Sequence, residues 1–533
     1  MIKTTEGLLQ RVGTAISVDW SPKRNRMSMA QTTLSLFALV VFGALFVRVA
    51  FAPEHGLATP STVGALATAL ALAVIGVAWR PMPRLASWLD GLVTWKRRVV
   101  LSGIHGTLTF ASGVLALAVY QPFRGGWDVD VVSQAAFQWA TTGTLTRSQF
   151  GYFEQWTNNI GQLNVLHLVA MISGPSAYAM VTLLSGPVLA SITIALVYNL
   201  AWRRGGTSAA LLAGAASWIL VGMNPYVAVP YTDMYVLLFP VACILMMEKA
   251  YSSYTIRGRV GWIAGCGAIA GIASQIKVTV LIVAIAATIV LVAGGILAGH
   301  CRRAVTGLCA ITLIASTLVS FEAVGMVSRA AIPSGTAGFE PVPLEYWVAT
   351  GMSAPYGEWN SDVIRLMETT TSSAIQRELL QAVIDRRLGE LGPGGYSLFL
   401  YNKLTWVYSD GTFFAFGEAQ LAPGVAFAYS NLIARAIRSL VVPWGRPLNV
   451  IYTTVLQGIW LLVLAGCLLT LLRKVRAPFD WYTSVLTLTV LGVTAYQVIW
   501  EARARYLLAF VPLFILLALR QDRRQQRWLT IPV

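Results

Sequence analysis

Asp128 and Asp130 stand two residues apart in "GGWDVDVV", inside a chain that is 56% hydrophobic and only 12% charged. A carboxylate at a membrane surface can take the proton of an attacking hydroxyl. Two on one short turn can also hold a hard divalent cation, Mg, Mn or Ca, against a phosphate leaving group. Asp128 and Asp130 are therefore candidate catalytic residues and, if a divalent metal is a cofactor, candidate metal ligands. The same acids also serve as ordinary helix caps, so the pair alone does not decide. Downstream, "GYFEQWTNNIG" sets Tyr152, Phe153 and Trp156 beside Glu154, Asn158 and Asn159. Aromatic faces and amides of this kind suit a polar cleft that binds polyols or sugars. Lys277 in "ASQIKVTVLI" and Arg503 and Arg505 in "WEARARYLLAF" interrupt apolar sequence, where a charge is costly unless it faces protein, a cavity or the interface. Together they could meet one phosphate, the arginines as bidentate forks and the lysine as a point charge. Asp233, in "PYTDMY", is a further acid at the start of an apolar run.

These residues must be positioned by membrane-spanning helices. The 533 residues have a mean hydropathy of +0.65. Apolar runs of about 20 residues, enough to cross ~30 Å of hydrocarbon as a helix, recur along the chain about 12 times. The formal net charge is +16, from 39 Lys and Arg against 23 Asp and Glu. With the amino terminus inside, most of the basic residues fall in alternate, cytoplasmic segments such as "WKRR", "WRR", "RKVR" and "RQDRRQQR", while the acids fall mainly outside. That is the positive-inside pattern, so the basic excess is an orientation signal and not a nucleic-acid footprint. It is satisfied if Gly161 to Trp202 crosses once, preceded by an interfacial helix. The D-x-D, "PYTD", Lys277 and "ARAR" then all lie on the external face. The expected organisation is a cytoplasmic tail (1–29), three transmembrane helices (30–120), an external loop with the D-x-D and interfacial helices (121–175), and transmembrane helices 4 to 9 (176–328). An external loop subdomain (329–440), transmembrane helices 10 to 12 (441–519) and a cytoplasmic tail (520–533) follow. The five cysteines fall in apolar runs or at their cytoplasmic edges and imply no disulfide framework, and the histidine spacing suggests no zinc site.

The D-x-D in the first long external loop, "YFEQWTNNIG" after it, "PYTD" at a later span start and "ARARY" before the last span resemble the GT-C superfamily of membrane glycosyltransferases. "IKVTVLI", "EYWVATGMSAPYGEWNSD" and "NKLTWVYSDGTF" are similar to segments of bacterial members. Those relatives tend to have Tyr-Pro ahead of the asparagine pair, where this chain has Trp156 and Thr157. The resemblance implies an all-α, GT-C-like polytopic protein of about 12 transmembrane helices, with external interfacial helices and a small external loop subdomain. It implies transfer of a sugar, arabinofuranosyl or mannosyl, from a polyprenyl-phosphate-linked donor to a hydroxyl of a glycan, lipoglycan or protein acceptor. The site would face outward from the plasma membrane, and the anomeric centre would be inverted. It implies Asp128 as base, Asp130 as its support or a metal ligand, and Lys277, Arg503 and Arg505 on the donor phosphate. Tyr152, Glu154, Asn158, Asn159, Asp233, Lys403 and Asp410 would be cleft residues. Residue types alone also allow a scaffold that binds glycan without chemistry, and a further class compatible with about 12 spans is a lipid-linked glycan flippase or transporter. Against it, no pair of broken helices occurs at corresponding places in two halves, and the polar residues crowd one face.

Overall fold

The computed structural model describes residues 24–53, 60–78, 87–88, 94–120, 128–297, 300–333, 335–358, 360–370, 372–415, 432, 436, 438 and 447–519. The two expected cytoplasmic tails therefore lie outside the described residues, apart from the stretch that follows residue 23. Every element among the described residues is helical. In lipid this is the economical outcome, because a helix satisfies its backbone polar groups within one segment. The order is α1 (Arg24–Phe51), α2 (Thr62–Ala78), α3 (Thr94–Tyr120), α4 (Asp128–Thr142), α5 (Arg147–Gln155), α6 (Ile160–Ser173), α7 (Tyr178–Ser217), α8 (Thr232–Val236) and α9 (Leu238–Ser252). Then come α10 (Ile256–Ser274), α11 (Leu281–Leu297), α12 (His300–Ala331), α13 (Leu344–Gly351), α14 (Ser361–Thr369), α15 (Ser373–Tyr408), α16 (Pro447–Lys474), α17 (Trp481–Ile499) and α18 (Val511–Ala518).

Among the described residues, 8 helices are long and apolar enough to cross a membrane, and Thr62–Val74 and Ala504–Ala518 are shorter apolar helices. One of the long ones, Tyr178–Gly222, has 45 residues. At 1.5 Å per residue it would be about twice as long as the hydrocarbon is thick. It is not straight. Gly206 has φ 75° and ψ −167°, a left-handed backbone that glycine adopts without a Cβ penalty. The ring of Tyr198 lies 5.0 Å from that of His105, and a Cβ on Gly214 would meet the same imidazole at 2.6 Å. Residues eight before and eight after Gly206 thus touch one side chain, so the helix doubles back and supplies two crossings. With these two, α10 and the shorter helices, the apolar runs read from sequence all lie in helices.

Between α3 and α7 lie the three shorter helices α4, α5 and α6. A capping box starts α5: Thr146 Oγ1 accepts from Gln149 N at 3.2 Å, and Gln149 Oε1 accepts from Thr146 N at 2.9 Å. The 14 residues of α6 reach only about 21 Å. Trp139 of α4 stacks on His167 of α6 with centroids 3.6 Å apart, joining the two helices.

The segment after α12 has its own small core of Tyr346, Ala349, Met352, Val363, Met367, Leu380 and Ile384. Its long helix α15 breaks at Gly392 (φ 57°), ahead of Pro393. The second half then enters the bundle. Tyr408 is fully buried against Phe42, Trp460 and Phe514, and Trp460 Nε1 donates to its carbonyl at 2.9 Å.

Candidate active site

Asp128 opens α4, and both of its oxygens are engaged. Tyr152 Oη donates to Oδ1 at 2.6 Å, and Tyr231 Oη lies 2.9 Å from Oδ2. Asn159 Nδ2 donates to Tyr152 Oη at 2.6 Å, while its Oδ1 lies 3.1 Å from Tyr231 Oη. The four side chains close a ring. It draws on α4, α5, the short 3-10 turn Thr157–Asn159 and the extended residue that precedes α8. Burial, and then the charge of Asp128, raise the Tyr152 phenol well above its ordinary value; Tyr231 is raised by the same two causes in the same order. Both phenols stay protonated, and they hold the carboxylate by charge-assisted hydrogen bonds.

Tyr231 also faces a second group. The Arg505 guanidinium lies 5.4 Å from the centre of its ring. Arg505 Nε is 3.5 Å from Asp233 Oδ2, and Lys277 Nζ is 2.5 Å from Asp233 Oδ1. Lys277 Nζ lies 4.0 Å over the Tyr506 ring. The Asp233 side chain is 3% exposed and the two cations 10% and 11%, so water screens these charges little. Local chain geometry brings them together. Lys277 sits in an extended residue between α10 and α11. Arg505 is the second residue of the 3-10 turn Ala504–Phe510, and just before the turn Gln497 braces the backbone of Arg503 from both sides at 2.9 and 3.2 Å.

A cavity of about 430 Å³ adjoins both groups; Asn158, Asn159, Tyr231, Lys277 and Arg505 line its polar side, while Asp128, Tyr152 and Asp233 are set back from its wall. Ile160, Ile276, Val278, Phe321 and Leu344 form an apolar side, Trp347, Tyr496, Trp500 and Tyr506 add rings, and Arg329 stands at the rim. Val278 is 50% exposed and Arg329 is exposed, so the cavity opens to the outside beside the last turn of α12. Close packing fixes one wall: a Cβ on Gly161 would lie 1.9 Å from the carbonyl oxygen of Gln275, two residues before Lys277. Gly161→Ala must push α6 from that loop. It is expected to cost about 1–3 kcal/mol, read as a lower midpoint of thermal unfolding in detergent. An unchanged midpoint would refute the close approach.

The other residues singled out in the sequence fall elsewhere. Glu154 accepts from the backbone of Ala337 and Phe339 at 3.0 to 3.1 Å, clamping the strap that leaves α12. Lys403 Nζ donates to the carbonyls of Gly351, Trp500 and Val498 at 2.5, 2.7 and 3.1 Å, tying α15 to α13 and α17. Asp410 accepts from Thr412 N and Oγ1, both at 2.7 Å, and from Phe414 N at 2.8 Å. It thereby holds a turn in which Phe413 and Phe414 take φ 56° and 59°, a strained conformation for bulky residues. Arg503 pairs with Glu501 at 2.7 Å and does not line the cavity. Tyr231 was not singled out in the sequence; its one signal is an aromatic at a polar span start, two residues before Asp233. Arg329, a basic residue in the last turn of α12, reads in sequence only as a helix-end charge.

Asp130 is two residues on from Asp128 within α4, about 200° round the helix. The two side chains diverge, and both Asp128 oxygens face hydroxyl donors. This donor set does not fit one metal held by both carboxylates. Among the described residues, no three His, Cys, Asp or Glu side chains group as metal ligands.

Residues 25–524 match a family described as conserved hypothetical integral membrane protein. No curated protein matches the chain. Among solved structures it is similar to ArnT from Cupriavidus metallidurans bound to undecaprenyl phosphate, with 14% identity, TM-score 0.34, and 75% of this chain and 76% of that one covered. It is likewise similar to the apo state of ArnT from Cupriavidus metallidurans, with 16% identity, TM-score 0.33, and 76% and 77% covered.

Proposed function

This chain belongs to the family of conserved hypothetical integral membrane proteins, and we propose that it is a glycosyltransferase that moves a sugar from a polyprenyl-phosphate donor to a hydroxyl of an envelope acceptor. In this proposal the site faces outward from the plasma membrane and the acceptor is a glycan, lipoglycan or protein. Arabinofuranosyl and mannosyl donors, as the GT-C resemblance implies, are the first to try.

One observation carries the reading. Tyr231 has a carboxylate at its hydroxyl and a guanidinium over its ring, so the base and the anion site stand on different sides of one side chain. Displacement at an anomeric carbon with inversion needs such a separation, with the attacking hydroxyl on one side and the leaving phosphate on the other. Asp128 takes the acceptor's proton as that oxygen attacks. Tyr152, Asn159 and Tyr231 aim the carboxylate and leave it further lone pairs for the acceptor, since a carboxylate has about four acceptor positions. Lys277 and Arg505 stabilise the charge that grows on the leaving phosphate. An opening beside α12 with apolar residues on one wall suits a lipid whose phosphate sits at headgroup depth and whose chain stays in hydrocarbon.

The test is transfer by purified protein from a panel of radiolabelled short-chain polyprenyl-phosphate sugars to envelope acceptors. Transfer of one sugar supports the proposal. Silence across a well-controlled panel sinks it and directs work to lipid-linked glycan movement in liposomes. The cations present can stabilise a phosphate without a metal, so EDTA should leave the rate unchanged. Loss of activity on chelation, restored by Mg, Mn or Ca, would contradict this part of the mechanism.

A further inference from the structure

Asp233 stands where an anion is to bind. It lies between Lys277 and Arg505, and its Oδ2 is buried without a hydrogen-bond donor. Lys277 and Arg505 against Asp233 leave the site a net charge of about +1 at neutral pH; Arg503 and Glu501 beside Tyr506 cancel as a pair, and Arg329 at the rim and Asp128 across Tyr231 sum to zero. A sugar phosphodiester carries one negative charge and is neutralised there. Transfer then changes the ligand. The bond from the anomeric carbon to the phosphate oxygen breaks with its electron pair going to that oxygen, the acceptor oxygen bonds to the carbon, and the acceptor's proton passes to Asp128. What remains is a phosphate monoester whose second pKa is near 6, so at pH 7 it is close to a dianion.

Substrate and product therefore differ by almost one charge in the same place. The cost of taking an ion out of water rises as the square of its charge, whereas its attraction to a fixed site rises only in proportion. Doubling the ligand's charge raises the first about fourfold and the second about twofold. A site of about +1 thus favours the diester, and one of about +2 would retain the dianion.

Resting on the transferase function proposed above, we infer that Asp233 sets the charge of the Lys277 and Arg505 site to suit a monoanionic phosphodiester and withholds the extra positive charge that would trap the dianionic product. Asp233 drives product release.

The experiment compares wild type, Asp233→Asn and Asp233→Glu. Binding of short-chain polyprenyl phosphate is measured beside single-turnover and steady-state transfer. Asp233→Asn should bind polyprenyl phosphate about tenfold or more tightly at pH 7.5. Its single-turnover rate should stay within about threefold of wild type while steady-state turnover falls roughly tenfold, because release has become limiting. Asp233→Glu keeps the charge and should keep wild-type product affinity. Weaker product binding with an equal loss in single turnover overturns the inference, since Asp233 would then only hold the cations in place. If Asp233→Asn does not fold, wild type decides. Its affinity for polyprenyl phosphate should fall between about pH 5.5 and pH 8 while that for the diester stays level. Product binding that tightens over this interval overturns the inference. A wild type that binds both lipids in this pattern yet transfers no sugar counts against the transferase function and not against the charge tuning.

Discussion

Asp128→Asn is expected to lower sugar transfer by about 10²- to 10⁴-fold, the range typical of removing a positioned general base. The change is nearly isosteric. The amide oxygen can still accept from one tyrosine, but the amide nitrogen points a donor at the other, and the group can no longer take a proton from the acceptor. Because Tyr152 and Tyr231 already face Asp128 at 2.6 and 2.9 Å, one contact becomes donor against donor unless that hydroxyl turns away. Some loss of stability, on the order of 1 kcal/mol, accompanies this. It must be separated from the catalytic effect by comparing donor binding and thermal unfolding with the rate. Donor binding should persist, since the phosphate site lies beyond Tyr231. Turnover within about threefold of wild type would remove Asp128 from the chemistry.

Arg505→Met is expected to lower kcat/KM for the lipid-linked donor by about 10²- to 10³-fold, comparable with the loss of one preorganised donor at a developing anion. Its removal leaves Lys277 balanced by Asp233 with no net positive charge for the leaving phosphate, and water entering the cavity supplies no fixed charge in its place. Arg505→Lys restores charge but not the planar fork and should recover only part of the rate. The decisive comparison is between substrates. Saturation by the acceptor should change little; a variant in which only acceptor saturation moved would place the phosphate elsewhere.

The apolar runs were legible as helices because a bilayer permits few alternatives. The turn at Gly206 was legible too, since "WRR" stops one crossing before a second begins. Asp128 stood out as an acid within an aromatic and amide-rich island, and Lys277 and Arg505 as charges beside apolar spans. Their mutual geometry was not legible. Tyr231 reaches Asp128 across 103 residues of sequence, and no local period encodes that contact. Glu154, Lys403 and Asp410 are also charges in apolar surroundings, yet they meet backbone groups of their own chain. Residue type cannot distinguish a polar group that waits for a substrate from one that satisfies a carbonyl. Arg503 and Arg505 stand two residues apart where extended chain passes into a 3-10 turn, and only the folded chain shows that one meets Glu501 and the other Asp233.

The inward half of α15 constrains how the protein is made. Tyr408 is enclosed by Phe42 from the first helix, Trp460 from α16 and Phe514 from the last, and Gln31 near the start of the chain bonds Ser484, 453 residues later. A ribosome releases these partners in order, so α1 waits with Gln31 and Phe42 unmatched until α15, α16, α17 and α18 have been made. Contacts of such long sequence separation form late and slowly. The charge cluster follows the same order: Asp233 and Lys277 leave the ribosome well before Arg505, so the cluster closes only once the stretch ahead of α18 has been made.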